Sequence, residues 1–242
     1  MAGEFAHRYD TLVDNPYANT FTSGRKKIEE LLDLVVDGVP AGGRILDAGC
    51  GTGFTLRKLA DRGFDVVGIE PSEGMRARAR SLYPDIPIID GDIEDLPFPC
   101  ATFDLVISIE VIRYLAEPEK SLSELARVLR PSGAAFVTAT PRYALNGYAL
   151  VSAVTSRVAV PTFTKVETSF MTTRSARQAL RVAGFRQGEI HGRFIGPWHV
   201  LGRIAPRSVP PLLRRFEPWD DKWSDRDLTR DLANHLVLIG RR

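Results

Sequence analysis

The sequence predicts an α/β protein with a doubly wound, mostly parallel sheet and helices on both of its faces. From Arg44 to Thr140, short apolar runs alternate with segments of helical periodicity. The apolar residues of those runs are nearly continuous, which is typical of parallel strands covered on both faces. The helical segments between them also have recognisable starts and stops. Repeated strand–helix units of this kind favour a doubly wound sheet.

The strands are predicted from the apolar runs, in chain order. Five lie in the regular region, at Arg44–Ala48, Phe64–Ile69, Ile86–Ile89, Phe103–Ile109 and Ala134–Thr140. Two more are expected near Phe185–Ile190 and at His235–Gly240, where similar runs return after a less regular stretch.

The helices between the strands are predicted from their end signals. One begins at Phe54 and stops at Gly63, because glycine readily takes the left-handed conformation that ends a helix. The next follows Ser72 as its N-cap and must finish by Pro84. A third begins near Pro118 and ends before Pro131, with one apolar face formed by Leu122, Leu125, Ala126 and Leu129.

Two further helices are expected outside this set. The segment Ile28–Val36 is amphipathic and should cover one face of the sheet. The segment Thr173–Gly184 should form the second of these helices. Its inward-facing residues would be Ala176, Ala179, Leu180 and Ala183.

Composition and charge restrict the class of protein. Two cysteines, Cys50 and Cys100, are too few for a disulfide framework and fit a reducing compartment. With no signal-peptide core and no apolar run long enough to span a bilayer, a soluble cytoplasmic protein is expected. Residues 1–140 carry a charge of −7 and residues 141–242 one of +9. The basic half favours an anionic substrate, membrane surface or nucleic acid, although uneven surface decoration is an alternative explanation.

The sharpest motif is a glycine loop at the end of the first strand. Ile45–Phe54 reads ILDAGCGTGF, so a strand runs directly into three alternating glycines and then a helix. Such glycines allow a tight turn and let a ligand approach the bare backbone. Dinucleotide-binding dehydrogenases use G-x-G-x-x-G, whose last glycine would fall on Phe54 here. The spacing therefore disfavours a dinucleotide.

These residues resemble the class I S-adenosylmethionine-dependent methyltransferases, in their broad small-molecule group of the type 11/25 kind. The glycine loop is similar to the first motif of that family, and Val66–Met75 (VVGIEPSEGM) to its second. Gly91–Phe98 resembles the segment that contacts adenine, while Phe103–Leu115 and Ala126–Gly133 resemble the motifs around the fourth and fifth strands. The resemblance covers roughly residues 40–140. It implies a seven-stranded sheet whose last strand is antiparallel.

The resemblance also implies which residues bind S-adenosylmethionine, which leaves as S-adenosylhomocysteine. Glu70 would hold the ribose hydroxyls, Asp92 the adenine amino group and Ile93 the adenine ring. The alternatives are a helix-terminal charge for Glu70 and a turn cap for Asp92. Met75 could lie on the adenine face or be ordinary core. Further cofactor-binding positions are Asp47, Gly49, Cys50, Gly51, Gly53 and Ile109, together with Tyr17 and Arg25 from an N-terminal segment that would close over the cofactor.

The catalytic residues are less defined. Many members of the family have histidine after the fourth strand, where this chain has Arg113 and Tyr114. Tyr114 could orient a substrate, and Arg113 could pair with an anionic one or with Glu110 or Glu117. A general base could come from His191 or His199, although each could be a surface residue. No metal is expected, because no familiar ligand spacing occurs.

Substrate choice is expected to depend on two insertions that cap the site. The predicted organisation is an N-terminal cofactor cover (1–43), a binding core (44–140), a lid (141–171) and a C-terminal part (172–242) with a second insertion at about 193–233. Ala144–Ser156 is uncharged, which suits a lid, a membrane-surface helix, or a core or dimer contact. The second insertion is aromatic and basic, with Trp198, Trp219 and Trp223 beside Arg203, Arg207, Arg214 and Arg215.

The sequence thus predicts a methyltransferase that acts on a small, partly apolar metabolite of the lipid, quinone, polyketide or glycolipid type. No nucleic-acid target is expected, because the Asn/Asp-Pro-Pro-aromatic motif and an RNA-binding module are absent. Peripheral membrane contact and a homodimer remain open. The alternatives are a nicotinamide-dependent oxidoreductase and a non-catalytic protein that binds S-adenosylmethionine.

Overall fold

A computed structural model describes residues 22–146, 169–196, 215–216, 218–220 and 222–242, with side chains from residue 26 onward. Its centre is one mixed sheet. The strands are β1 (Arg44–Ala48), β2 (Asp65–Ile69), β3 (Ile88–Ile89), β4 (Phe103–Ser108), β5 (Leu129–Pro141), β6 (Phe170–Met171), β7 (Gln187–Ile195) and β8 (Ala233–Arg241). Their order is β3-β2-β1-β4-β5-β8-β7, and β6 pairs separately with the end of β5.

The predicted fold class is confirmed. Strands β1 to β5 run parallel, and β8 is antiparallel to both β5 and β7. The two-residue strand β6 was not predicted. It pairs Phe170 and Met171 with Thr140 and Pro141, so both ends of the predicted lid meet in one short ladder.

The helices that flank the sheet include α1 (Thr22–Val36), α2 (Phe54–Asp61), α3 (Glu73–Leu82), α4 (Pro118–Val128) and α5 (Thr173–Val182). Their predicted end signals are confirmed. Gly63 takes a positive φ just beyond α2, Ser72 caps α3 through its hydroxyl, and Pro118 opens α4. No helix in the described ranges has the length and apolar character needed to cross a bilayer.

The sheet is covered on both faces, as the apolar runs predict. Along β5, Ala135 and Val137 pack with α4 and α5, whereas Ala134 and Phe136 face the other way, toward α1 and α2. This alternation follows from the two-residue period of a strand. The segment predicted to cover one face, Ile28–Val36, does so within α1.

Several predicted bounds were wrong. Leu129 was placed on the apolar face of α4, but the helix ends at Val128 and Leu129 begins β5, where it pairs with Phe103. Strand β7 runs to Ile195 instead of ending at Ile190, and β8 begins at Ala233. Both strands are longer than predicted because the backbone groups of β7 and β8 pair with each other along their whole length. The apolar pattern of each segment alone does not show this pairing.

The sheet direction decides where the site can form. Ligands of open α/β sheets bind beyond the carboxyl ends of the parallel strands. Those of β1, β2 and β4 are Ala48, Ile69 and Ser108. Because β8 runs the opposite way, its first residues, near Asn234 and His235, lie at this same edge.

Candidate functional site

The glycine loop forms a tight turn directly after β1. Gly49, Gly51 and Gly53 all have positive φ, at 85°, 54° and 79°. The N–H groups of Gly49 and Cys50 both donate to the carbonyl oxygen of Ile69, at 2.8 and 3.0 Å, and so tie the loop to β2. A Cβ at Gly49 would lie 2.3 Å from a methyl carbon of Val111, whereas one at Gly51 would meet nothing within 4 Å. The backbone at Gly51 therefore borders open space.

Glu70 connects this loop to the end of β2. Its Oε2 accepts a hydrogen bond from the N–H of Gly51 at 2.9 Å, and its Oε1 accepts one from the N–H of Ser72 at 3.0 Å. Glu70 is buried. The Arg76 guanidinium donates to the backbone carbonyl oxygen of Glu70 at 2.7 Å. The carboxylate is held in a single place beside the loop.

The electrostatics of this corner suit a cationic ligand. Asp47 and Glu70 are both buried here. Burial, followed by the negative charges of Asp47 and Glu70, raises the pKa of the Cys50 thiol well above its usual range. The thiol is therefore neutral, and a thiolate nucleophile is excluded at neutral pH. Buried carboxylates next to a bare glycine backbone fit S-adenosylmethionine, which carries a sulfonium charge and ribose hydroxyls.

The segment predicted to contact adenine, Gly91–Phe98, contains a turn. Asp92 accepts a hydrogen bond from the N–H of Glu94 at 3.0 Å through Oδ1, so the turn-capping alternative is present in the structure. Ile93 and Met75 are buried, and Ile109 packs partly buried against the sheet. Contacts of these residues with adenine stay a prediction.

Other predicted binding residues lie outside the described part of the chain. Tyr17 and His199 belong to undescribed segments, and for Arg25 only the backbone, in α1, is described. Four predicted residues of the second insertion are also outside the described ranges: Trp198, Arg203, Arg207 and Arg214. Most of the predicted lid is outside them as well.

Arg113 and Tyr114 lie in a short 3-10 turn, Ile112–Tyr114, after β4. The Arg113 Nη1 atom is 2.7 Å from Oε2 of Glu110, and its guanidinium lies over the Tyr114 ring at 5.4 Å. The ion pair with Glu110, one of the alternatives for Arg113, is present. The turn is close to the glycine loop, because Val111 packs against Gly49.

His191 lies on β7, which β5 and β8 separate from β4. Its Nδ1 is 2.7 Å from Oδ2 of Asp225, and its Nε2 is 3.6 Å from a carboxylate oxygen of Glu189. Asp225 also contacts Arg193 and Arg230, at 3.3 and 3.2 Å. His191 therefore connects β7 to the segment before β8, and the structure does not bring it to the glycine loop.

This network predicts a pH-dependent stability. Burial alone would raise the pKa of Asp225. The hydrogen bond and charge of His191 and the charge of Arg193 have the larger, opposite effect, so that the pKa is lowered to about 2. Because the folded pKa lies below the unfolded value, the stabilisation is complete above about pH 4 and is lost as the pH falls toward 2. We expect Asp225→Asn to reduce the unfolding free energy at pH 7 by about 2 kcal/mol or more.

The measurement is urea unfolding at stepped pH from 7 to 3. The difference between wild type and Asp225→Asn should shrink on the acid side. Asp227→Asn is the matched control, since Asp227 pairs with the same Arg230 but its side chain is 90% exposed. A pH-independent difference, or an equal effect of both variants, would contradict the role given to Asp225.

A pair that sequence reasoning missed lies beside the 3-10 turn. Glu110 lies just beyond β4, and its Oε1 is 3.0 Å from Nδ1 of His235, the third residue of β8. The two residues are separated by 125 positions in the chain. The available signal was the position of His235 at the start of an antiparallel last strand, which places it at the carboxyl edge of the sheet.

Comparison with known proteins identifies the central segment. A family model described as a methyltransferase domain matches residues 46–137, the stretch from β1 to β5 that carries the glycine loop and Glu70.

Residues 46–137 form a methyltransferase domain.

Three relatives illustrate the similarity of this methyltransferase domain to known proteins. A demethylmenaquinone methyltransferase of Renibacterium salmoninarum is 43% identical over 102 residues, which cover 41% of this chain and 43% of that protein. The solved phosphoethanolamine N-methyltransferase 2 of Haemonchus contortus, in complex with S-adenosyl-L-methionine, matches with a TM-score of 0.63 and 18% identity, over 96% of this chain and 59% of the other. The 4+2 cyclase SpnF matches with a TM-score of 0.66 and 20% identity, over 100% and 97%.

The identity and the coverage of each match limit what it shows about this chain. The two solved structures share the fold only, given their low identity. The chain spans 43% of the length of the Renibacterium relative, and 19% and 61% of two other curated relatives that it matches. The match to a methyltransferase domain decides against the nicotinamide-dependent oxidoreductase.

Proposed function

We propose that the protein transfers the methyl group of S-adenosylmethionine to a small, partly apolar acceptor of the quinone or lipid type. The observation that carries this proposal is the Glu70 carboxylate, held at the end of β2 by the N–H groups of Gly51 and Ser72. It borders the open backbone of the methyltransferase domain's glycine loop. A carboxylate there has the charge and the acceptor atoms to bind two ribose hydroxyls.

The chain's own residues would act mainly by positioning. Methyl transfer requires the acceptor atom, the methyl carbon and the sulfur to lie in line, and orientation of this kind lowers a barrier by about 7–11 kcal/mol. Glu70 and the loop backbone would hold the adenosine part. Asp47, buried at the end of β1, adds negative charge beside the site of the sulfonium.

Two observations support an apolar acceptor. The segment after β5 exposes Tyr143 and Leu145, and the N–H of Leu145 donates to the carbonyl oxygen of Leu232 just before β8. The two predicted insertions thus touch at the carboxyl edge, where a substrate cap would lie. The Renibacterium relative, named for demethylmenaquinone, favours a quinone-type acceptor among the predicted classes.

The competing proposal is a protein that binds S-adenosylmethionine without transferring methyl. It has one observation in its favour, because the fold is shared with a 4+2 cyclase, and a fold does not by itself determine the reaction. A homodimer and contact with a membrane surface stay predictions from the sequence.

The two proposals differ in turnover. We expect S-adenosylmethionine and S-adenosylhomocysteine to bind in calorimetric titration, and reduced demethylmenaquinone with a short side chain to gain one methyl group by mass spectrometry. Binding without methylation of any acceptor from the quinone, fatty-acid, polyketide and glycolipid classes would favour the non-catalytic binder. Absence of S-adenosylmethionine binding would overturn both.

A further inference from the structure

A cluster of charged side chains lies at the carboxyl edge, next to the glycine loop. Glu110 is its centre. Its Oε1 is 3.0 Å from Nδ1 of His235, and its Oε2 is 2.7 Å from Nη1 of Arg113. The N–H of Glu110 donates to the Thr138 hydroxyl at 2.7 Å. The turn after β4 and the strands β5 and β8 therefore converge on one carboxylate.

The backbone at Glu110 is strained. Its φ is +62°, in the left-handed region that residues other than glycine, asparagine and aspartate seldom adopt. Strain of this kind persists only where the surrounding structure imposes it, and it concentrates at functional sites. Here it accompanies a side chain bonded to both His235 and Arg113. The strained turn thus holds the Glu110 carboxylate within bonding distance of both His235 and Arg113.

The chemistry of the pair follows from the charge of Glu110. Burial raises the pKa of its carboxyl group, but the charges and hydrogen bonds of His235 and Arg113 lower it more, so that it lies well below its usual range. An ionised carboxylate only accepts hydrogen bonds, so Nδ1 of His235 must be the donor. The imidazole is then held in the tautomer whose Nε2 is the basic nitrogen.

The pair is placed for reaction. Glu110 precedes Val111, which packs directly on Gly49 of the glycine loop. The His235 side chain is 8% exposed and that of Glu110 is 31% exposed, so a proton acceptor here would be shielded from bulk water. His191 lacks this position, because it lies on the far strand β7 and is bonded to Asp225.

Another charged group beside His235 is also paired. Arg193 is its register partner on β7, and its guanidinium contacts Asp225 at 3.3 Å. Glu110, Arg113 and Arg193 therefore all contribute to the charge around the imidazole.

We propose that His235, oriented by Glu110, removes a proton from an ionisable hydroxyl group of the acceptor, so the substrate class is a phenol, hydroquinone or enol. This inference rests on the proposed methyltransferase function. The acceptor O–H bond breaks, its proton goes to Nε2 of His235, and its electron pair stays on oxygen. The oxygen, or a ring carbon conjugated with it, bonds to the methyl group, while the C–S pair remains on sulfur and gives S-adenosylhomocysteine with a neutral thioether. After methylation of oxygen, the imidazolium releases its proton to water. After methylation of a ring carbon, the imidazolium returns its proton to the oxygen, and the ring carbon loses its hydrogen as a proton to water, which restores the hydroquinone.

The first test does not depend on the acceptor. Nitrogen NMR on histidine-labelled protein should show His235 protonated at Nδ1 in the neutral form, and Glu110→Ala should abolish that preference. Glu110→Gln serves as a second variant that preserves the side-chain volume. Wild-type His235 protonated at Nε2 would overturn the proposal, because the basic nitrogen would then face Glu110.

The second test measures turnover of reduced demethylmenaquinone across pH. His235→Asn should lower kcat by about 100-fold or more, remove the fall in rate on the acid side, and leave S-adenosylhomocysteine affinity within a few-fold. Asn234→Ala is the matched control, since Asn234 is an equally buried neighbour on β8 whose amide bonds the Gly196 carbonyl oxygen. An unchanged pH profile in His235→Asn, or equal rate losses in both variants, would overturn the role of His235.

If wild type binds S-adenosylmethionine but leaves this acceptor unmethylated, the quinone-type acceptor of the proposed function fails. The tautomer measured by NMR still decides whether Glu110 orients His235.

Discussion

Replacing Gly49 by alanine should lower the affinity for S-adenosylmethionine by about 100-fold or more, equivalent to about 2.7 kcal/mol. The added Cβ would lie 2.3 Å from a methyl carbon of Val111, and φ at this position is +85°. A contact that short forces the loop or the turn after β4 to move. Both border the proposed cofactor site, so the loss should appear in binding, measured by calorimetric titration of the folded variant.

Two companion variants separate collision from backbone strain. Gly63→Ala, beyond the end of α2, has the same φ of +85° but nothing within 4 Å of the new Cβ. It should reduce stability by about 1–2 kcal/mol through strain alone and leave S-adenosylmethionine binding unchanged. The double variant Gly49→Ala with Val111→Ala should recover part of the affinity. Wild-type affinity in Gly49→Ala would contradict the packing of Val111 on the loop.

The order of strands and helices was predictable because periodicity and end signals are local. Gly63, Ser72 and Pro118 each mark a helix end through a backbone requirement that one residue type meets. The strand alternation around Arg44–Thr140 likewise reflects burial on two faces. Such features depend on residues close in sequence, so the order of strands and helices over residues 44–140 followed from them.

The site's polar network was less predictable because its partners are distant in the chain. Glu70 was identified by resemblance, but its bond to the N–H of Gly51, 19 positions away, depends on the pairing of β1 with β2. His235 meets Glu110 only because β8 enters antiparallel beside β5. His191, a candidate base from sequence, is instead bonded to Asp225, since β7 lies at the sheet edge.

Glu70→Ala should weaken S-adenosylmethionine binding by about 10–100-fold, which corresponds to the loss of about 1.5–3 kcal/mol of charged hydrogen bonding. Glu70 would act in two ways. Its carboxylate accepts from the Gly51 N–H and so holds the glycine loop, and it is proposed to accept from the ribose hydroxyls. Glu73→Ala is the matched control, because Glu73 is exposed in the first turn of the neighbouring helix α3. It should leave binding unchanged.

A double-mutant cycle distinguishes the two actions of Glu70. In wild type, a dideoxyribose analogue of S-adenosylhomocysteine should bind more weakly than the parent compound, because the carboxylate loses both hydroxyl partners. In Glu70→Ala, removal of the hydroxyls should cause little further loss, since the two groups interact directly and their effects are not additive. Additive losses would mean that Glu70 acts only by anchoring Gly51, and that another residue binds the ribose.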